Sequence, residues 1–294
     1  MKRSFAVAAI AAVVVGFVAC GDRSTRGADP AADGRVADPQ RVVALAPSVV
    51  ELLYELELGD RLVGVGDYCR WPPEVEEKPK LGGLFDPHLE EISRLEPELA
   101  ILLPSEEQLA AHLERIGVEV LTVPSESLDD IETAALAIAR RFSVEARGEA
   151  FVEHWRAALA PRPLDREPRV LLAVSRSRGT LTDMLSAGPQ TFYHELLVRL
   201  GAINVFSDAE ALYPQVSLEE VMQRLPEAVI ELRSEEATPA VRRALRDDWR
   251  MMDGVPAFER GCYDVIGGDY VMLPGPRLPR LYDELRAALE ACGY

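Results

Sequence analysis

From Arg41 onward, short apolar runs alternate with segments whose apolar residues recur at helical spacing. The runs 42–45, 62–65, 99–103 and 119–122 predict strands, and 49–58, 89–95, 106–116 and 128–142 predict helices among and after them. The same order returns downstream, with strands predicted over 170–174, near Val205, over 228–232 and over 263–266, and helices over 191–200, 218–225, 239–248 and 279–291. These strands are short and apolar without alternation, the pattern of a parallel sheet covered by helices on both faces. Between the two series, 143–159 places Ala146, Ala150, Phe151, Trp155, Ala158 and Leu159 at helical spacing and then meets Pro161 and Pro163. That predicts one long connecting helix, a stiff spacer.

The two series are copies of each other. Leu89-Glu90-Glu91-Ile92 through Pro97-Glu98-Leu99-Ala100-Ile101 reappears 129 positions later as Leu218-Glu219-Glu220-Val221 through Pro226-Glu227-Ala228-Val229-Ile230, with six of 13 positions identical. Arg41-Val42-Val43-Ala44-Leu45 and Arg169-Val170-Leu171-Leu172-Ala173 open the two halves, and the triplets Glu51-Leu52-Leu53 and Glu195-Leu196-Leu197 sit in corresponding helices. The expectation is an α/β fold of two duplicated, doubly wound lobes, 41–142 and 164–294, with parallel-rich sheets joined through a connecting helix within 143–163. Ligands of such lobes sit beyond the carboxyl ends of the strands, so a cleft between the lobes is the place to look for function.

Composition narrows the function classes. The 294 residues are 48% hydrophobic, enough for two cores, and carry a formal charge of −17. That charge argues against nucleic acid as a partner, since a phosphate backbone is held by clustered Lys and Arg. It disfavours a strongly anionic ligand more weakly. Residues 1–20 read as an export signal: Lys2 and Arg3 precede an apolar stretch that ends at Ala19-Cys20, too short for a comfortable membrane span. Residues 21–40, rich in Gly, Asp, Ala and Pro, read as a flexible tether. Besides Cys20 there are Cys69, Cys262 and Cys292, so an exported chain forms at most one internal disulfide. Cys262 with Cys292 is the expected pair, because both lie in the second lobe.

Four constellations carry candidate chemistry. The loop Gly66-Asp67-Tyr68-Cys69-Arg70-Trp71-Pro72-Pro73 follows a predicted strand and offers Tyr68 and Trp71 as faces for a flat ligand, the alternative being that Trp71 plugs the lobe's edge. Tyr213, just before Ser217-Leu218-Glu219, corresponds to the Gly83-Leu84-Phe85-Asp86-Pro87 loop before Leu89-Glu90, so Tyr213 and Phe85 or Leu84 are expected as opposing cleft walls. Glu90 and Glu219 occupy equivalent first-turn positions. Helix capping by Ser217 with Glu220, and by Asp86, competes with a reading as paired carboxylates presented to partner arginines. Asp269, after the last predicted strand and with Tyr270 beside it, is placed to accept hydrogen bonds from a ligand, or to cap its own loop.

Nothing favours catalysis. There is no G-x-S-x-G elbow, Walker loop or G-x-G-x-x-G after a strand, and His88, His112, His154 and His194 lack the spacing of a metal site.

Taken in order, several segments resemble the substrate-binding proteins of ABC importers that have a helical backbone between lobes and serve cobalamin, haem and iron siderophores. They are Arg41 to Ser48 with Glu51-Leu52-Leu53, Gly64-Val65-Gly66-Asp67-Tyr68-Cys69 with Pro72-Pro73, Asp86-Pro87-His88-Leu89-Glu90-Glu91-Ile92, Gly201-Ala202-Ile203-Asn204-Val205-Phe206 and Pro214-Gln215-Val216-Ser217-Leu218-Glu219. The resemblance spans about residues 41–292 and is greatest to the cobalamin-binding branch. It implies capture of cobalamin or a related corrinoid, with haem or a ferric siderophore as the rival. It also implies ligand contacts by Tyr68, Tyr213 and Asp269, docking of Glu90 and Glu219 onto a permease that works with its ATPase, no resident cofactor and a monomeric, non-enzymatic protein. Leu84 stands where cobalamin binders can have Trp, and Gly201 leaves no Cys in that segment to pair with Cys292. Ala19-Cys20 resembles a lipobox, with Phe17 in place of the usual Leu, which implies lipidation at Cys20 and a membrane anchor facing the periplasm or the cell exterior. A surface lipoprotein without a transport role, or an enzyme, is the reading from another class.

Overall fold

A computed structural model describes residues 38–252 and 254–294. The expected export signal, most of the expected tether and Cys20, the candidate lipidation site, lie outside the described residues.

The first half contains β1 (Val42–Ala44), α1 (Pro47–Glu55), β2 (Leu62–Val65), α2 (Leu89–Arg94), β3 (Leu99–Leu102), α3 (Glu107–Arg115) and β4 (Glu119–Thr122). Its four strands are all parallel, in the order β2-β1-β3-β4. Alternate residues of β1 and β3 enter different cores: Val42, Ala44, Leu99 and Ile101 pack on one side, Val43, Ala100 and Leu102 on the other. A strand's side chains alternate between faces, so a sheet covered on both sides demands apolar residues at every position. The unbroken apolar runs in the sequence have this origin.

Two helices follow, α4 (Leu128–Arg141) and α5 (Glu145–Ala158), and both run between the cores of the two halves. In α4, Leu128 and Ile131 pack into the core of the second half, while Ala134, Ala135, Ile138 and Ala139 pack into that of the first. In α5 the order is reversed, with Val152 in the first and Trp155 in the second. The connecting helix therefore crosses alongside an antiparallel companion. Close approach depends on Gly148, where a Cβ would lie 2.5 Å from the Cβ of Ala139. Ser143, at the start of the predicted connecting helix, instead takes a positive φ in the turn between the two.

The second half comprises β5 (Arg169–Ser175), β6 (Met184–Ser186), α6 (Phe192–Arg199), β7 (Ile203–Asn204), β8 (Gln215–Val216), α7 (Leu218–Arg224), β9 (Ala228–Arg233), α8 (Pro239–Asp248), α9 (Pro256–Glu259), β10 (Tyr263–Gly267) and α10 (Leu278–Ala291). The sheet order is β10-β9-β5-β6-β8, with β7 also on β5. β10, β9, β5 and β7 are parallel, whereas β6 and β8 add antiparallel pairs that the apolar pattern had not announced. Both strands are three residues or fewer, below the length at which a periodicity can be recognised. Cys262 and Cys292 form a disulfide that ties the start of β10 to the end of α10, and Cys69 is free and buried.

One charged network lies wholly inside this half. Glu231 of β9, 1% exposed, accepts two hydrogen bonds from Arg176 at 3.0 Å each, one from Trp249 Nε1 at 2.6 Å and one from Tyr263 Oη at 2.7 Å. Arg176 also donates to Asp248 at 2.8 Å and to the carbonyl of Thr180 at 2.6 Å. Removing one partner of a buried pair leaves an uncompensated charge, at about 3 to 5 kcal/mol. Arg176→Met is expected to destabilise the protein by that amount in urea unfolding followed by tryptophan emission, and a loss below about 1 kcal/mol would show the network to be dispensable.

Candidate functional site

The carboxyl ends of the parallel strands carry most of the aromatic and charged groups singled out in the sequence. After β2 the chain turns at Gly66, where any Cβ would sit 2.1 Å from the carbonyl oxygen of Leu45, so only glycine permits this close departure from β1. Asp67 then donates its N–H to the Gly82 carbonyl and accepts from Gly82 N, both at 3.0 Å, locking the loop to the Gly82–Pro87 turn. Tyr68 lies over Gly83 and is 69% exposed, and Phe85, in the same turn, is 89% exposed. These two rings form one exposed corner of the first half. Leu84 is not a wall, because it packs into both cores of this half. Cys69 points inward, donating to the Leu45 carbonyl, and burial pushes its thiol up to about 12.

A second group gathers around Arg277, just before α10. Its Nε and Nη2 donate to Glu51 of α1, at 3.0 and 2.5 Å, and its Nη1 and Nη2 donate to Asp269, at 2.9 and 3.1 Å. The guanidinium stands 5.5 Å from the Trp71 ring and 5.7 Å from that of Tyr270. Trp71, Asp269 and Tyr270 are thereby brought together. Trp71 remains half-exposed, so it does not plug the edge, and Asp269 is partly exposed. Tyr270 is different: it is 2% exposed, with its hydroxyl donated to Glu284, and belongs to the core of the second half. Burial would raise the carboxyl of Asp269, but hydrogen bonds and charge from Arg277 outweigh it and hold the group below its ordinary value. For Glu51 burial wins, and its carboxyl is raised despite Arg277. A cavity of about 400 Å³ opens beside this group, lined by Glu51, Tyr54, Glu55, Trp71, Pro72 and Glu74.

Tyr213 joins neither group. It is half-buried, set edge-on to Tyr193 at 6.5 Å, and its loop is held by Ser186 N donating to the Pro214 carbonyl and Gly188 N to that of Leu212. Burial pushes its hydroxyl up to about 12.

Glu51 and Arg277 were missed as functional candidates in the sequence. The available signal was a carboxylate set directly amid Val49, Val50, Leu52 and Leu53 of α1.

Glu90 and Glu219 are exposed at the second positions of α2 and α7. In α7 the cap is made by Ser217 and Glu220, with Glu220 N donating to Ser217 Oγ at 3.2 Å and Ser217 N donating back to Glu220 at 2.9 Å. Glu219 meets only the side-chain amide of Gln223, at 3.2 Å, among the described residues. In α2 the N-cap is His88, without a side-chain bond, so Asp86 does not cap this helix, and Glu91 pairs with Arg94. Capping therefore accounts for neither Glu90 nor Glu219.

The family model for periplasmic binding proteins matches residues 42–261. The chain belongs to the periplasmic binding protein family. Among relatives, the vitamin B12-binding protein of Vibrio parahaemolyticus serotype O3:K6 is 27% identical over 263 residues, covering 86% of this chain and 88% of that one. A periplasmic heme binding protein from Pseudomonas aeruginosa superposes with a TM-score of 0.72 at 26% identity, covering 85% and 92% of the two chains. The periplasmic vitamin B12 binding protein BtuF of Vibrio cholerae superposes at 0.71 with 22% identity, covering 87% and 98%, a likeness of fold alone.

At the carboxyl end of β3, Glu106 is buried; one carboxylate oxygen accepts from Leu103 N at 2.8 Å and the other has no partner among the described residues. Burial pushes this carboxyl from 4.5 to about 7. A carboxyl raised in the fold favours the folded state below its unfolded value, and that contribution is lost as pH rises through the folded value. Stability is therefore expected to fall between pH 4.5 and about 7, at no more than about 1.4 kcal/mol per unit from this group. Glu106→Gln, which keeps the acceptor for Leu103, should flatten that segment of the urea-unfolding profile, and an unchanged slope would assign it to other groups.

Proposed function

We propose that this periplasmic binding protein is the substrate-binding component of an ABC importer and that its ligand is cobalamin or a related corrinoid. The observation that carries the ligand assignment is the charge state around Arg277. This guanidinium is already held by two carboxylates, and the adjoining cavity adds Glu55 and Glu74 beside Tyr54 and Trp71. A wall with acceptors in excess and aromatic faces suits a flat ring whose rim carries amides, as a corrin does, and it repels carboxylate-rich or catecholate chelates. The exposed rings of Tyr68 and Phe85, with Tyr213, are the remaining contact candidates.

Haem is the second reading, favoured by the exposure of Tyr68, because an accessible phenol can ligate haem iron. Titration of the 21–294 chain with cyanocobalamin and haemin separates the two. Cobalamin is expected to quench tryptophan emission and bind in a calorimeter, and Tyr68→Ala or Tyr213→Ala should weaken it about tenfold each, the value of one aromatic contact. A Soret shift with haemin, abolished by Tyr68→Phe and with no response to cobalamin, would transfer the assignment to haem.

Delivery rests on Glu90 and Glu219, one exposed carboxylate on each half, which suit bidentate arginines of a permease. Glu90→Ala and Glu219→Ala are each expected to weaken docking to permease in nanodiscs about tenfold, and Glu90→Lys with Glu219→Lys to abolish it, while ligand affinity stays within twofold. Loss of ligand affinity in these variants would contradict the assignment. Lipidation at Cys20 and the 21–40 tether would hold the protein at the membrane near that permease, on the exported side. Binding and release, without covalent chemistry, complete the function.

A further inference from the structure

We infer that Arg277, of the second half, is the positioning residue of the ligand-facing wall, holding Asp269 of its own half and Trp71 of the first half in place through its anchorage to Glu51 of the first half. The inference rests on the ligand-binding reading above and extends it to a residue that touches the wall from behind.

The geometry gives three independent supports. An arginine has five N–H donors in a planar fork, and here four are engaged, two by Glu51 and two by Asp269. Asp269 is thereby fixed in orientation by two parallel bonds, where a single bond would leave its carboxylate free to rotate. The residue before it, Gly268, has a φ of +153°, and a Cβ there would lie 2.4 Å from the Tyr270 ring, so the turn into Asp269 depends on glycine. Second, the same guanidinium stands 5.5 Å from the Trp71 ring, so the indole of the first half is placed by a residue of the second. Third, Arg277 sits where the halves meet: its side chain is largely buried, and a Cβ at nearby Gly275 would meet Ser48 of α1 at 3.6 Å.

Glu51 is the fixed end of this chain of contacts. It is almost fully buried on α1, between the apolar residues that seat that helix on its sheet. Lysine could supply the charge at position 277, but its point-charge ammonium cannot grip both carboxylates bidentately. The wall is therefore sensitive to geometry, not merely to charge.

A double-mutant cycle tests this on the 21–294 chain. Because Arg277→Met alone strands two carboxylates and risks misfolding, the reference variant is Glu51→Met with Arg277→Met, which replaces the pair by apolar side chains of similar length. It is expected to fold, by its thermal transition, and to bind cyanocobalamin at least tenfold more weakly, chiefly through a faster off-rate. Arg277→Lys should fold and recover less than half of that loss on a logarithmic scale. Asp269→Asn should weaken cobalamin in the parent at least fivefold, yet change the double variant by less than twofold, because an unpositioned Asp269 has little left to lose. Additive effects, or full affinity in the double variant, would overturn the inference. A second arm needs no ligand: the double variant should shift the tryptophan emission of the free protein, a shift absent in a Trp71→Phe background, and speed amide exchange at residues 268–270. If the parent fails to bind cobalamin, the function reading falls, and this arm still decides whether Arg277 positions the wall; unchanged emission and exchange would reject it.

Discussion

Burial of both sheets on both faces is the constraint from which the rest of this structure follows. With β1, β3, β5 and β9 apolar at nearly every position, helices must cover each side, and polar chemistry is driven to the strand ends. It is also why the two halves cannot be independent bodies. The helices α4 and α5, about 21 Å long each, contribute apolar residues to both cores, so the two cores share their covering layer. Hydrogen bonds from Leu128 N to Glu195 and from Phe192 N to the Glu126 carbonyl fix the end of that layer against α6. A wide rotation of one half would have to break packing in both cores, which favours recognition by a preformed surface over a large hinge.

The parts of the fold that were legible in the sequence are those for which burial writes a long signal. Continuous apolar runs gave the parallel strands, and helical spacing gave the long helices, including α8 over Pro239–Asp248 and the helix of Leu128–Arg141. β6 and β8 were not legible, since two or three residues cannot display a period and they pair across the intervening α6 and β7. The companion role of α4 was likewise hidden. Its sequence states an apolar stripe, but not that Leu128 and Ala135 answer to different cores.

The site divides in the same way. Exposed aromatics beside strand ends were readable as such, and Tyr68, Trp71 and Phe85 are indeed accessible. Tyr270 misled because proximity to Asp269 in sequence says nothing about which way a ring turns: a strand end followed by a tight turn sends neighbouring side chains to opposite sides, and here the ring fell to the core. The duplication was informative for Glu90 and Glu219, because equivalent positions in a repeat keep equivalent exposure even where capping differs. Long-range ion pairs leave no such trace. Glu51 and Arg277 are 226 residues apart, and only the contact between the halves joins them.

That pair also explains how a strongly acidic chain can hold a charged wall without depending on it for stability. Taking an arginine and two carboxylates partly out of water carries a desolvation penalty that their mutual attraction roughly cancels, so such a triad adds little net stability compared with apolar side chains of the same shape. What it adds is direction. An apolar contact between α1 and the segment before α10 would tolerate sliding, whereas four hydrogen bonds to a planar fork permit one arrangement of Glu51, Asp269 and Trp71. In a protein whose halves are already held by shared helices, geometry at the proposed ligand wall is the quantity left to determine, and Arg277 is placed to determine it.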